Sequence, residues 1–304
     1  MTCYREEPRQ RDAAISWRTK SASVSRLPFD KLRTGFVALL LAMTSKNVHQ
    51  QPEYSKVNRF IIAALATLFT GASAMAAEIT VLSGGAIEPG LHSAAHAFEK
   101  QSGHQVKLTF NTAPQIAKRI AAGDKFDVVI SPPAAIEEFA KAGKVAAADR
   151  VNVGKVGLGV AVRPGAPVPD ISSVDGLKRS IVEADSLTFN RASTGIYFEN
   201  LLKKWGVYEQ VEPKTTRYPD GASVMEHTLK GKGKEIAFGA ITEILLYKEK
   251  GLRFIGPIPA EVQNYTQYIA TPTTATSNAD VSKQFVQFLG SPAGKKLFVA
   301  AGIE

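Results

Sequence analysis

The chain has 304 residues, a formal net charge of +9 and one cysteine, Cys3. Residues 1–76 carry 11 Lys and Arg against 5 Asp and Glu, whereas residues 77–304 carry 26 against 23. Because the body of the chain is close to neutral, the charge does not indicate a nucleic-acid partner, and the single cysteine excludes an intramolecular disulfide.

The start of the chain has the features of a leader. A basic stretch at residues 56–59 precedes an apolar run at residues 60–69 and then a row of small residues, which is the order found in secretory signal peptides. The small side chains at the end of this row predict cleavage near Ala76, with the mature protein in the periplasm. We expect residues 56–76 to be the signal peptide. For residues 1–55 there are two hypotheses: the start codon was assigned too early, or these residues form a disordered extension.

Strand and helix patterns alternate from residue 78 to residue 131. The β-branched runs at residues 78–83 and 105–110 and the apolar run at residues 127–131 predict strands of a parallel sheet buried on both faces. Apolar residues at helical spacing between them predict two helices, so the segment is β-α-β-α-β. In such a sheet the strand ends and the following helix starts lie along one edge, where small ligands bind.

The same alternation continues to the C-terminus. Further strands or extended segments are predicted at residues 153–162, 187–190, 211–217, 236–241, 253–258 and 265–270. Further helices are predicted at residues 133–142, 196–205, 224–229, 281–289 and 293–300, and another begins at Thr242. The predicted fold class is α/β, with two lobes that each contain a mixed or parallel sheet flanked by helices, and with a ligand cleft between them. Lobe 1 is expected to comprise residues 77–160 and 264–304, and lobe 2 residues 161–263.

Small and polar residues follow several of these strands. Four predicted helix starts lie there: after Gly85, after Thr112, after Ser193 or Thr194, and after Gly221. Ser193 and Thr194 are typical N-cap residues. The unpaired N–H groups and the partial positive charge of a helix start favour an anion, so the cleft is predicted to bind one.

Arg191 stands at a strand end in the second lobe. It is predicted to pair with an oxyanion or a carboxylate, and the alternative is a solvated surface arginine. Phe238 lies in an apolar strand, which by itself is typical of a core residue.

Other motifs indicate neither a metal site nor catalysis. His92 and His96 are four residues apart on one predicted helix, but no third ligand accompanies them. The lysine and glycine run at residues 230–234 lacks the spacing of a phosphate-binding P-loop. Because there is also no G-x-S-x-G motif and no cysteine in the mature chain, we expect a non-enzymatic protein without a cofactor.

Five segments carry a family resemblance: ITVLSGGAI, HAFEKQSGHQVKLTFNTAPQIAKRIAAGDKFDVVIS, STGIYFENLLKKWG, EIAFGA and FVQFLGSPAGKKLF. Over residues 78–304 the chain resembles the periplasmic molybdate-binding proteins of ABC importers, which have the type II periplasmic binding fold. The resemblance implies a receptor whose two lobes close on a tetrahedral dianion. Serine and tyrosine hydroxyls and backbone N–H groups hold the ion, and a permease of the inner membrane receives it.

Three hydroxyl donors of the family are absent from this chain. The family's serines fall on Ala86 and Ala113, and its tyrosine falls on Phe238. The family's backbone donors fall on Thr194 and Gly221, which retain their N–H groups. Further donors that could compensate are the side chains of Ser83, Thr112, Ser193, Thr194 and Arg191.

The resemblance predicts molybdate or tungstate as the ligand. A different small anion, such as an organic carboxylate, is the alternative because of the missing hydroxyls. A ligand-sensing receptor is an alternative to a transport component. Turnover of a bound anion would favour a third alternative, an enzyme. We expect a monomer.

Overall fold

The computed structural model describes residues 76–304. The predicted leader, and the predicted signal peptide up to residue 75, lie outside the described residues. Within residues 76–304, no helix is both long enough and apolar enough to cross a membrane.

Nine strands of the described region join in one sheet. They are β1 (Glu78–Gly84), β2 (Gln105–Asn111), β3 (Val128–Ser131), β4 (Val151–Val162), β5 (Ser186–Asn190), β6 (Thr215–Tyr218), β7 (Glu235–Ala240), β8 (Arg253–Pro257) and β9 (Tyr265–Pro272). Their order is β2-β1-β3-β9-β4-β7-β5-β6, and β8 lies beside β4. The strands β1, β2 and β3 are parallel, as are β5, β6 and β7, whereas β4 and β9 run antiparallel to their neighbours.

Ten α-helices accompany these strands within residues 76–304. They are α1 (Glu88–Ser102), α2 (Ala113–Ala121), α3 (Pro133–Lys141), α4 (Val174–Glu183), α5 (Ser193–Lys204), α6 (Tyr208–Val211), α7 (Gly221–Lys230), α8 (Ile241–Leu246), α9 (Ala279–Gly290) and α10 (Pro292–Ala300). The predicted α/β fold class is confirmed.

One predicted strand is largely wrong. Residues 211–217 were expected to be extended, but Val211 ends α6 and a 3-10 turn, Glu212–Lys214, follows before β6 begins. Pro213 lies inside that turn, and because it has no N–H group it cannot donate to a strand ladder. The predicted strand therefore begins only at Thr215.

The strand β4 belongs to two parts of the sheet. Its residues Val151–Gly157 pair with β9, whereas Leu158–Ala161 pair with β7 and Gly159–Val162 pair with β8. We call β2, β1, β3, β9 and the start of β4 the first sheet half, and the end of β4 with β8, β7, β5 and β6 the second. The lobe boundaries at residues 160/161 and 263/264 stay a prediction.

Both faces of the first sheet half are covered. Successive residues of a strand point to opposite faces, so Val81 packs in a cluster with Leu91 of α1 and Phe285 of α9, while Leu82 packs in another with Ile116 of α2. This is the two-sided burial that the apolar runs of parallel strands predict.

Aromatic side chains fill the core of the second sheet half. Phe238 of β7 is 1% exposed, and its ring centroid lies 3.8 Å from that of Phe198 of α5. Phe189 of β5 contacts the same Phe198 ring edge-on at 5.2 Å. The ring of Phe238 is thus part of the packing between β7 and α5.

We predict that Phe238→Ala destabilises the protein strongly. Removal of a fully buried phenylalanine ring leaves a cavity and costs about 3–5 kcal/mol of unfolding free energy, measured by urea denaturation. The matched control is Val299→Ala, because Val299 is 66% exposed and its truncation should change stability by less than about 0.5 kcal/mol. Equal, small effects of the two substitutions would contradict this packing.

Candidate functional site

One cleft lies where strand ends of both sheet halves meet. From the first half it is lined by the residues that follow β1, β2 and β3, and from the second half by those that follow β5. Glu243 of α8 and Tyr268 of β9 complete the lining. The cleft therefore occupies the sheet edge where the sequence predicts ligand binding.

Asn190 organises the wall that comes from the second half. Its side-chain oxygen accepts hydrogen bonds from the N–H groups of Ala192 and Gly195, both at 3.1 Å. These bonds fix the orientation of the amide, so Nδ2 of Asn190 is left as a donor on the lining of the cleft. Gly195 is needed here, because a Cβ at this position would lie 1.8 Å from the backbone oxygen of Asn190.

The prediction that Ser193 or Thr194 caps α5 is wrong. The N-cap residue is Ala192, whose methyl side chain cannot accept a hydrogen bond. The side chain of Asn190 accepts from the free N–H groups at the helix start instead. Ser193 and Thr194 are the first two residues of the helix, where N–H groups have no intrahelical acceptor. Both line the cleft, so this wall offers their N–H groups and hydroxyls to a ligand.

The wall after β2 offers fewer free donors. The side-chain oxygen of Gln115 accepts from the N–H group of Thr112 at 2.8 Å and from its hydroxyl at 2.9 Å. This contact satisfies the start of α2 but uses both polar hydrogens of Thr112. The N–H group of Ala113, the first residue of α2, remains without an intrahelical acceptor.

Gly84 and Gly85 form the wall after β1. A Cβ at Gly84 would lie 2.6 Å from Cε1 of Tyr268, so glycine allows the tyrosine ring to lie directly against the end of the strand. Ser83 points elsewhere: it is fully buried, and its hydroxyl donates to the backbone oxygen of Gly84 at 3.1 Å.

Glu243 is the ionisable carboxyl group that lines the cleft. It is the third residue of α8, and the backbone N–H group of Ala240 at the start of that helix acts on its carboxyl group. The residue as a whole is half-buried, but its Oε2 atom is shielded from solvent and has no hydrogen-bond partner within the described residues. A Cβ at Gly85 would lie 3.2 Å from Oε1, and one at Gly221 would lie 2.1 Å from Oε2.

Burial, together with the neighbouring carboxylates of Asp220 and Glu88, raises the pKa of Glu243 to about 7, while the backbone N–H group of Ala240 acts in the opposite direction. Burial and the charge of Glu243 also raise the pKa of Tyr268, whose hydroxyl therefore stays protonated. The lining of the cleft thus combines several donors with one group that changes its charge near neutral pH.

The structure brings together six of the ten site residues predicted from the sequence. Those on the lining of the cleft are Gly85, Ala86, Thr112, Ala113, Ser193 and Thr194. Outside the lining are Ser83, Arg191, Gly221 and Phe238. For all ten, a ligand contact stays a prediction.

The four residues outside the lining differ in their surroundings. Ser83 and Phe238 are buried in the interior. Arg191 is exposed, and its Nε donates to the backbone oxygen of Arg217 at 3.4 Å. Gly221 begins α7 behind Glu243, and this helix start is already occupied by Asp220, whose Oδ1 accepts from the N–H group of Ser223 at 2.8 Å.

Sequence reasoning missed three lining residues that have polar side chains of interest: Asn190, Glu243 and Tyr268. Asn190 had a usable signal, since a polar residue at the end of an apolar strand lies at the ligand edge. In the sequence, Glu243 is an ordinary third residue of a helix and Tyr268 an ordinary strand residue. Neither could be assigned to the cleft without knowing how α8 packs against the first sheet half.

The family model for bacterial extracellular solute-binding proteins matches residues 79–304. The chain belongs to this family. Among curated proteins, an aconitate isomerase from a Pseudomonas species is 28% identical over 233 residues, which cover 74% of this chain and 87% of that protein. The molybdate-binding protein ModA of Escherichia coli K12 is 24% identical over 253 residues, which cover 81% of this chain and 96% of that protein.

Among solved structures, the periplasmic molybdate-binding protein of Azotobacter vinelandii superposes with a TM-score of 0.63. It is 18% identical, and the match covers 74% of this chain and 98% of that one. The predicted resemblance to periplasmic molybdate-binding proteins and the type II periplasmic binding fold are confirmed. The family is extracellular, as the leader predicts, and solute-binding.

We predict that Glu243→Gln stabilises the protein more at pH 8 than at pH 5. Because the folded protein holds this proton up to about pH 7 and the unfolded chain releases it near its ordinary pKa of 4.5, the wild type loses stability as pH rises between those values. Glutamine does not titrate, so the gain at pH 8 approaches about 3 kcal/mol.

Thermal unfolding at both pH values measures this effect, and the melting temperature at pH 8 should rise by roughly 5 °C or more. Glu249→Gln is the control, because Glu249 is an exposed carboxylate just beyond the same helix. A gain for Glu243→Gln that is the same at pH 5 and pH 8 would show that the carboxyl group titrates normally.

Proposed function

We propose that this member of the solute-binding family serves an ABC importer and binds a small organic carboxylate in the cleft. The observation that carries the choice of ligand is the carboxyl group of Glu243 among the donors of the lining. No lysine or arginine is among the residues that line the cleft, so no side-chain cation offsets Glu243 when it is charged.

A tetrahedral oxyanion fits this lining poorly. Molybdate, tungstate and sulfate accept hydrogen bonds at every oxygen and carry no hydrogen to donate at neutral pH. Beside them the ionised form of Glu243 is repulsive, and its protonated form is favoured only below about pH 7. An organic acid can place a carboxylate on the donors and present a hydroxyl or a C–H group to Glu243.

The cleft also has fewer hydroxyl donors than the resemblance to molybdate-binding proteins implies. Ala86 and Ala113 line the cleft without hydroxyls, and the hydroxyl of Thr112 is used by Gln115. Each missing charge-assisted hydrogen bond removes about 1.5–3 kcal/mol of binding free energy. Ser193, Thr194 and Asn190 on the opposite wall are enough for a carboxylate group, which has two oxygens to satisfy.

The comparison with curated proteins supports the same ligand class. The relative with 28% identity is an aconitate isomerase, whereas the molybdate-binding relative is 24% identical. Aconitate is a small unsaturated tricarboxylate, so we propose it and related di- and tricarboxylates as the first ligands to test. Molybdate and tungstate remain the rival proposal.

For the transport role, the partner we propose is a permease of the inner membrane, and the protein would act as a monomer in the periplasm after cleavage near Ala76. A ligand-sensing receptor is the alternative with the same cleft. Uptake of the ligand into cells with and without this protein distinguishes the two roles.

Calorimetric titration of the purified protein, stripped of carried-over ligand, is the first test of the ligand. We predict binding of one or more small polycarboxylates and, at pH 8, no binding of molybdate, tungstate or sulfate. These oxyanions are predicted to fail at this pH because Glu243 is then mostly ionised and they have no hydrogen to place against it, whereas an organic acid can present a hydroxyl or a C–H group. Tight binding of molybdate at pH 8 would overturn the proposal and restore the ligand implied by the family resemblance.

We also predict that Asn190→Asp lowers the affinity for the bound carboxylate at least tenfold, which is about 1.4 kcal/mol. An aspartate can still accept from the N–H groups of Ala192 and Gly195, so the start of α5 is kept, but the Nδ2 donor is replaced by a negatively charged oxygen. Because Asn190 is 2% exposed, the new charge lowers the melting temperature, but the kept contacts of the helix start should leave a single cooperative thermal transition.

Asn152→Asp is the matched control, because Asn152 is exposed on β4 and the substitution introduces the same charge. Unchanged affinity in Asn190→Asp, measured in the same titration, would remove Asn190 from the binding site.

A further inference from the structure

We propose that Glu243 is an acid–base residue that moves a proton between two carbon atoms of an unsaturated carboxylate in the cleft, so that the binding site is also the site of a double-bond isomerisation. The proposal rests on the carboxylate ligand proposed above. It goes beyond binding, because a receptor needs only donors and shape.

The position of the carboxyl group supports a chemical role. Glu243 lines the cleft, and its Oε2 has no hydrogen-bond partner within residues 76–304 and is shielded from solvent. Native proteins rarely leave a buried carboxyl oxygen unpaired, because the unpaired group has lost its hydration without gaining a partner. The other oxygen, Oε1, lies beside Gly85 on the lining of the cleft, so a ligand group placed there would contact that side of the carboxyl group.

The surrounding backbone leaves room for this carboxyl group from both sheet halves. Any side chain at Gly221 would overlap Oε2, and one at Gly85 would press on Oε1. Contact with the N–H group of Ala240 at the start of α8 requires only one of the two oxygens, and an exposed glutamate could make it equally well. Capping of α8 therefore does not explain the burial.

The charges around Glu243 favour reversible proton transfer. The Asp220 and Glu88 carboxylates act on Glu243, which acts in turn on the Tyr247 and Tyr268 hydroxyls. An acid–base group works best when its pKa lies near the working pH, and burial together with the two carboxylates holds the pKa of Glu243 there. Both the carboxylate and the protonated carboxyl group are then populated near neutral pH.

The opposite wall can hold the charge that develops on the ligand. The N–H groups of Ser193 and Thr194 and the Nδ2 of Asn190 can bind a carboxylate group that is conjugated with the double bond. When a proton leaves a carbon atom next to that double bond, the negative charge spreads onto this carboxylate. Fixed donors aimed at such a charge are the usual means by which proteins stabilise it.

The step balances within the ligand and one side chain. The Glu243 carboxylate takes the proton from the carbon atom next to the double bond, and the electron pair of the broken C–H bond forms a new double bond with the adjacent carbon. The electrons of the original double bond spread onto the conjugated carboxylate. The proton on Glu243 is then returned to the far carbon of the three-carbon unit, so the double bond has moved by one position and no oxidant or reductant is needed.

The experiment is proton exchange in deuterated buffer, followed by ¹H NMR, with the full purified protein and with cis-aconitate, trans-aconitate, itaconate and citraconate as probes. We expect one of these probes to lose its C–H signals next to the double bond and to form its double-bond isomer. The rate should rise with pH through about pH 7 as Glu243 ionises. We expect Glu243→Gln to bind the same probe within about threefold and to slow exchange at least about a hundredfold.

Glu249→Gln is the matched control and should exchange at the wild-type rate, because this glutamate is exposed outside the cleft. A probe that binds in the calorimeter but shows neither exchange nor isomerisation would overturn the inference and leave the proposed binding function intact. Wild-type exchange in Glu243→Gln would overturn the role of this residue. If no polycarboxylate binds, the proposed ligand and the inference both fail.

Discussion

The position of α8 depends on the absence of side chains from the middle of β4. A Cβ at Gly159 would lie 2.9 Å from Ile241 and 3.1 Å from Ile244, so only glycine lets this helix lie so close to the strand. From that position, the Thr242 hydroxyl donates to the backbone oxygen of Ala86 in the first sheet half. The next residue along the helix is Glu243, so the same close approach brings the carboxyl group into the cleft.

The two walls of the cleft are chemically unequal. On the second-half wall, Asn190 caps α5 through backbone N–H groups, which leaves its own amide hydrogens and the first N–H groups of the helix for a ligand. On the first-half wall, Thr112 gives both its polar hydrogens to Gln115. A ligand that has one anionic end and a different chemical group at the other end therefore matches the cleft better than a symmetrical ion does.

The sequence predicts the scaffold well because local signals and burial agree. The β-α-β-α-β start, the α/β class and the helix start after Thr112 follow from apolar periodicity and from residues that favour turns. The errors have local causes that the pattern does not show. Asn190 caps α5 in place of Ser193, and Pro213 shortens a predicted strand. Periodicity carries no information about such replacements.

The burial of Glu243 could not be predicted from the sequence, because it depends on atoms contributed by distant segments. Gly85 and Gly221 lie 158 and 22 positions from it and matter only through the space that their missing side chains leave. A carboxyl group placed there destabilises the folded protein above its ordinary pKa, because the cleft withholds the hydration that the unfolded chain provides. A receptor for an anion gains from that cost only discrimination against symmetrical oxyanions, since its donors hold the ligand. A protein that must remove and return a proton does gain, because the same burial that weakens the fold keeps the carboxyl group able to do both at neutral pH.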